Sequence, residues 1–280
     1  MSPARTGRRV MRRVALSGAG LALAVVVLAP YVVMVCTALK PEGELRMTPP
    51  RLTPIQWRPG NVLEVLGDPS FQGWLYASLV VALTSTTIVV LAATPAAYYT
   101  ARHRFPGRSA FLLVVLVTQM FSPTALVVGL YRQFFDLGLV DTYAALILTN
   151  AAFNLAFAIW ILRAFFASIP REIEEAAAVD GCGRLRTLVQ VVLPLSLPAI
   201  VTAVIFAFIA AWNEYIVALT LMADPARKPL TVGITSYVTA YVQHWNQLFA
   251  ASIIAIVPVV VLFAMIERHL VGGLTAGSVK

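Results

Sequence analysis

Apolar runs of about twenty residues recur along this chain, separated by short polar segments. Val14–Leu39 carries no charge, and Leu75–Ala101, Ser109–Tyr131, Tyr143–Leu162, Ala199–Met222 and Leu248–Ile266 follow. About 20 apolar residues in a helix cross roughly 30 Å of hydrocarbon. The pattern therefore predicts an all-α polytopic membrane protein with six transmembrane helices. Pro95, Pro123 and Pro258 fall inside predicted spans, where neighbouring helices can satisfy the carbonyls a proline frees. Only Glu214 places a charge within one of these runs.

Composition agrees with this class. The chain is 59% hydrophobic and 12% charged, against about 25% charged in soluble domains. The net charge of +8 serves orientation rather than nucleic acid, since no face interleaves basic and aromatic residues. With six spans both termini share a side. Fourteen Lys/Arg residues lie on that side, among them Arg5, Arg8, Arg9, Arg12, Arg13, Arg102, Arg104 and Arg108, against seven on the other. The positive-inside bias then puts both termini in the cytoplasm. The expected organisation is a basic tail at 1–13, a first span at 14–39 and an extracytoplasmic loop at 40–74. A five-helix core at 75–266 and a cytoplasmic tail at 267–280 complete it. The first span is too long for a signal-peptide core and lacks a small-residue cleavage site after it. Cys36 and Cys182 fall on opposite sides of the membrane in this topology, which excludes a disulfide between them.

Several chemistries are excluded. None of Lys40, Lys228 and Lys280 closes a glycine-rich phosphate loop, so the chain is expected to bind no nucleotide itself. His103, His244 and His269 lack a zinc-ligand spacing. The near absence of charge in the spans argues against an ion-driven pump.

The segment between the fourth and fifth spans is unusual. Four charges of each sign crowd into residues 163–186. Pro170 suits a helix start, and Glu172, Glu174 and Glu175 sit near the positive end of its dipole. Ala176–Ala178 continue it with small side chains, and Gly181 and Gly183 permit a sharp turn. Leu185–Val192 reads as a second short helix, stopped by Leu193-Pro194. Two readings stand: a helix lying on the lipid headgroups, or a surface gripped by another protein.

Glu175-Ala176-Ala177, Gly181 and Val191-x-Leu193-Pro194 resemble the EAA loop of permease subunits of binding-protein-dependent ABC importers. The family has Ile at the place of Val191. Trp212-Asn213-Glu214 is similar to the WNE element of carbohydrate-type permeases. The ending Gly273–Lys280, the Ala101–Arg108 element and Leu137–Thr142 resemble the second, maltose-permease-like subunit, and Asn154-Leu155-Ala156-Phe157 departs where relatives carry proline. The resemblance implies the type I ABC importer permease fold and a sugar importer, with permeases for polyols, glycerophosphodiesters or peptides, or a membrane scaffold recruiting a cytoplasmic partner, as alternatives. It implies that 163–198 is a coupling loop in which Glu174, Glu175, Ala176, Ala177, Asp180, Gly181, Leu193 and Pro194 serve ATPase contact. Gly277, Ser278, Val279 and Lys280 become candidate tail contacts to the same ATPase. No cofactor is expected in this chain, ATP and Mg belonging to the partner. The implied partners are a homologous second permease, two cytoplasmic ATPase subunits, an extracytoplasmic substrate-binding protein, membrane lipid and the sugar. The outer loop Asp224–Gln247, with Pro229–Gly233, is expected to face the binding protein. Trp212, Asn213 and Glu214 are pathway or interface candidates. Glu214 either reaches the cavity or makes a packing hydrogen bond to the partner permease or to a residue such as Asn150. Tyr131, Phe134 and Phe153 either line a sugar path or belong to the core.

Overall fold

The structure is a computed structural model that describes the backbone of residues 3–239 and 243–275, and side chains from 15 to 239 and 243 to 265. The candidate tail contacts Gly277, Ser278, Val279 and Lys280 lie outside the described residues. Among those described, helices account for the regular structure and no strand forms beyond an isolated bridge between Val238 and Gln243. Four helices are long and apolar enough to cross a membrane: α1 (Pro3–Ala38, from Ala15), α4 (Pro69–Arg102), α7 (Tyr143–Ser168) and α14 (Trp245–Thr275, to Met265). Two further spans are bent pairs. One joins α5 (Arg108–Thr118) to α6 (Pro123–Asp136) at 97°. The other joins Arg184–Leu195 to α11 (Leu197–Trp212) at 78°. Counting each pair once gives six.

Two compact units divide the chain: Met1–Asp68 with Thr235–Ile254, and Pro69–Ile234 with Ala255–Lys280. In the first, the segment after α1 is held by specific bonds rather than left slack. Short helices α2 (Glu42–Leu45) and α3 (Gly60–Gly67) form there. Both carboxylate oxygens of Glu44 accept backbone N–H groups, from Ile55 (2.9 Å) and Gln56 (2.8 Å). The buried amide of Asn61 donates to the carbonyls of Ala38 and Lys40, each at 2.8 Å. Burial, with Asp68 alongside, pushes the Tyr237 hydroxyl up to about 12.

The second unit holds the larger helical core. Val89, Ala93 and Ala97 of α4 meet Ala199, Ala203 and Ala207 of α11 and a stripe of α7 that includes Ile159, Leu162 and Phe166. Small residues four apart let helix backbones approach closely, the main source of packing energy where lipid is as apolar as the side chains. A second cluster joins Val81 of α4, Phe134 of α6, and Ala145 and Leu146 of α7 to α12 (Ile216–Leu221) and α13 (Leu230–Gly233). Early residues of α4 and α7 thus share one end, and late residues share the other. These helices run parallel, while α5–α6 and α11–α12 return against them. Alternating passes require this arrangement.

The helices differ from the expected spans where backbone polar groups find local partners. The helix expected from Leu75 begins at Pro69, and the one expected to stop at Leu162 continues to Ser168. The predicted fifth span Ala199–Met222 is not continuous: α11 stops at Trp212 and α12 starts at Ile216. Pro123 does not kink a helix interior. It opens α6, and the break precedes it. The expected second loop helix, Leu185–Val192, is a short α9 (Arg184–Thr187) that widens into a π-turn at Leu188–Val192 and continues as α10 (Leu193–Leu195). Pro194 lacks the N–H a regular α-helix would use here, and a wider turn tolerates that loss. The chain breaks instead at Ser196, whose hydroxyl donates to the Val192 carbonyl (2.7 Å).

α13 packs against the start of α4. The Trp74 indole N–H donates to the Pro225 carbonyl (2.8 Å), and the Leu230 N–H donates to Ser78 Oγ (2.7 Å). A side chain at Gly233 would overlap the Trp74 indole. Gly233→Ala is therefore expected to destabilise the protein by roughly 1–3 kcal/mol, the usual range for overpacking, seen as a lowered melting temperature of the detergent-solubilised protein. An unchanged melt would show that Trp74 can move aside.

Candidate coupling site

The charged segment after α7 folds as α8 (Arg171–Val179). Its end is fixed by backbone bonding alone. Cys182 N–H donates to the Ala177 carbonyl (2.9 Å) and Gly181 N–H to that of Ala178 (3.1 Å). This is the Schellman pattern, which needs a left-handed residue just past the helix, and Gly181 supplies it at φ +82°. Asp180 occupies the C-cap through its backbone, with its side chain exposed.

Helical spacing then sorts the predicted contacts. Ala177 is 7% exposed and faces back onto the chain. It does not join Ala176 on the outer face, correcting the expectation that both pack against a partner. Glu174 also points inward. Its Oε1 lies 2.6 Å from Arg102 Nε at the end of α4, and its Oε2 accepts the Tyr98 hydroxyl at 2.8 Å. The Arg102 side chain is 7% exposed and that of Glu174 is 19% exposed. Arg171 Nη2 reaches the Arg102 carbonyl at 3.4 Å, placing a cation at the negative end of the α4 dipole. Four residues of α4 and α8 thus fasten the two helices, and a cleft lined by Tyr98, Arg102, Glu174, Glu175 and Arg184 opens beside them. Glu172, Glu175, Ala176 and Val179 remain exposed, Val179 at 88%. Leu193 and Pro194 sit beyond the π-turn, apart from this face, with Pro194 exposed.

The second candidate group resolves differently. Trp212 is buried, and its indole N–H donates to the Ala255 carbonyl of α14 (3.2 Å). Asn213 is the exposed C-cap of α11. Glu214 does not bond Asn150. Its two carboxylate oxygens accept the N–H groups of Val217 (2.8 Å) and Ala218 (2.9 Å), capping α12. Asn150 donates to its own helix at Leu146 (2.9 Å). The Glu214 carbonyl accepts the Thr231 hydroxyl (2.7 Å), so the element expected to face outward in Pro229–Gly233 locks onto this break, with Leu230 and Val232 buried.

The other side of α12 is closed by Asp141. Held at φ +63°, it accepts the N–H groups of Ala223 (3.0 Å) and Asp224 (3.1 Å) on Oδ1, and its own N–H donates to Leu221 (2.9 Å). Phe134 belongs to the core, whereas Tyr131 is partly exposed and stacks on Phe135. Sequence reasoning missed Tyr98, Arg102 and Arg171 as anchors of α8. The available signal was a tyrosine and arginine four apart at the end of a span, level with an acid-rich helix start.

The chain matches the family of binding-protein-dependent transport system inner membrane components over residues 1–275. It is 36% identical to the sulfoquinovosyl glycerol transport system permease protein of Agrobacterium fabrum over 256 residues, covering 90% of this chain and 88% of that one. It is 32% identical to the trehalose/maltose transport system permease protein of Thermococcus litoralis, covering 97% and 98%. A crystal structure of a bacterial ABC transporter involved in import of the acidic polysaccharide alginate superposes with a TM-score of 0.80 at 22% identity, covering 96% and 98%. The chain belongs to this family of ABC importer permeases and has the type I permease fold.

Removing one partner of a buried ion pair typically costs about 3–5 kcal/mol. Glu174 keeps some solvent, so Glu174→Gln is expected near the lower end, read as loss of thermal stability, with Arg102→Met adding little further in the double variant. Additive losses would show that the two residues do not act as a pair.

Proposed function

We propose that this chain is one half of the translocation path of an ATP-driven sugar importer, with both termini and the α8–α10 segment in the cytoplasm. The carrying observation is the two-sided character of α8. One face is fastened to α4 by Glu174, while Glu175, Ala176 and Val179 are left exposed. A free surface helix does not need a buried ion pair at its back. A helix that must pass on force does.

Two cytoplasmic ATPase subunits, carrying ATP and Mg, would grip this face. A homologous second permease would complete the path, and an extracytoplasmic binding protein would deliver the sugar. The sugar class is supported by the names of the similar permeases, which carry sulfoquinovosyl glycerol and trehalose or maltose. The arginine bias supports the orientation. ATP-driven closure of the ATPase pair must favour one arrangement of the spans over the other, which requires contacts that differ between the two ATPase states. Glu175 at the exposed face supplies one such contact. Trp212, Asn213 and Glu214 then serve the interior packing of the path wall rather than holding sugar.

Loss of a hydrogen bond to a charged group costs about 1.5–3 kcal/mol, or roughly a tenfold to hundredfold weaker docking. Glu175→Ala is expected to reduce the ATPase activity stimulated by ligand-loaded binding protein on that scale while membrane insertion stays normal. Undiminished stimulation in the reconstituted complex would remove Glu175 from the coupling surface.

A further inference from the structure

The break between α5 and α6 lies at a depth where backbone polar groups need partners. Two rulers place it. α5 has 11 residues, so its far end is about 16 Å from Arg108. The Gln119 side-chain amide donates to the Phe153 carbonyl of α7 at 3.1 Å. Phe153 lies about 15 Å from the Tyr143 end of that helix and about 22 Å from its Ser168 end. Both measures put Gln119–Ser122 well inside about 30 Å of hydrocarbon.

The last bonds of α5 run from the N–H groups of Gln119, Met120 and Phe121 to Leu116, Val117 and Thr118. The first bonds of α6 run from Ala125 and Leu126 to the Ser122 carbonyl. Between them the carbonyls of Gln119, Met120 and Phe121 and the N–H of Thr124 close no helical bond. The Ser122 side chain makes no capping bond. The described residues do not bury the segment: Met120 is 81% exposed and Phe121 53% exposed. Irregular backbone at this depth is tolerated only where protein buries it or where it lines a water-filled cavity. An apolar partner helix would leave these groups unsatisfied. A sugar presents hydroxyls that both donate and accept, which matches this mixed set, and Phe121 offers an apolar ring beside it.

We propose that the Gln119–Ser122 break is where this subunit touches the carried sugar. The inference rests on the sugar-importer reading and adds a contact point within it. Gln119 is anchored through its amide nitrogen to Phe153, which leaves its Oε1 to accept a sugar hydroxyl.

The test uses the complete transporter with its binding protein in proteoliposomes, with Cys36 and Cys182 replaced by serine. Met120→Cys probes the break. Leu113→Cys, on the exposed side of α5 at 60% exposure, is the control. A small water-soluble methanethiosulfonate is expected to modify Met120→Cys at least about tenfold faster, since charged reagents react from water and not from hydrocarbon. Maltose, trehalose and N,N′-diacetylchitobiose are offered separately, and whichever stimulates ATP hydrolysis is expected to slow the modification severalfold. Equal, slow modification at both positions overturns the inference and makes the break a lipid or subunit interface. Fast modification that a stimulating sugar leaves unchanged overturns the sugar contact. If none of the three stimulates ATP hydrolysis, the choice of sugar in the importer reading fails. Fast modification still supports the break as path wall in that case, and slow modification still removes it.

Discussion

The Arg102–Glu174 ion pair is the interaction that holds α8 to the helix core, and the proposed coupling depends on it. α4 is the long pillar that packs along α7 and α11, and α8 is a short helix with an alanine-rich, mostly exposed surface. Without a strong link at its back, α8 would be free to roll when gripped. The link joins an almost buried guanidinium to a carboxylate already accepting the Tyr98 hydroxyl. A second cation, Arg171, reaches the last carbonyl of α4. A charged pair in a low-dielectric setting is costly to break because the partner left behind remains buried and uncompensated. That cost makes α8 and α4 behave as one body.

A second constraint governs the opposite end. Hydrocarbon satisfies no backbone group, so each interruption of a span must carry its own partners. The chain meets this locally. Glu214 caps α12 with both carboxylate oxygens, Thr231 ties the following loop to the same turn, and Asp141 closes the far side from a left-handed backbone. Three elements separated in sequence therefore form one polar knot around a two-turn helix. The acid within the fifth apolar run thus satisfies two N–H groups at the start of α12. The α5–α6 break differs because its backbone groups have no such set of partners among the described residues.

Much of the fold was legible in sequence. Apolar runs marked the four continuous helices long enough to cross a membrane and fell on both bent pairs, since a twenty-residue apolar stretch has few other uses. Breaks inside the spans were not legible from hydropathy. The long apolar stretches on either side of Asn213-Glu214 conceal the end of α11, and the π-turn at Leu188–Val192 leaves no compositional trace. At the candidate site, Glu175 and Gly181 could be picked out from their pattern. The inward turn of Glu174 and Ala177 could not, because it depends on which face of a nine-residue helix meets Tyr98 and Arg102 some 70 positions earlier.

Rigid attachment of α8 to α4 can be measured directly between Val179, at the exposed end of α8, and Leu91, exposed on α4. Spin labels at Val179→Cys and Leu91→Cys, in a background without Cys36 and Cys182, report their separation by double electron–electron resonance in the assembled transporter. If the ion pair makes the helices one body, the distance distribution is the same without nucleotide and with ATP trapped, and it broadens when Glu174→Gln is added. A shift of roughly 5 Å, about one helical turn, between the two nucleotide states in the otherwise native protein would contradict that coupling.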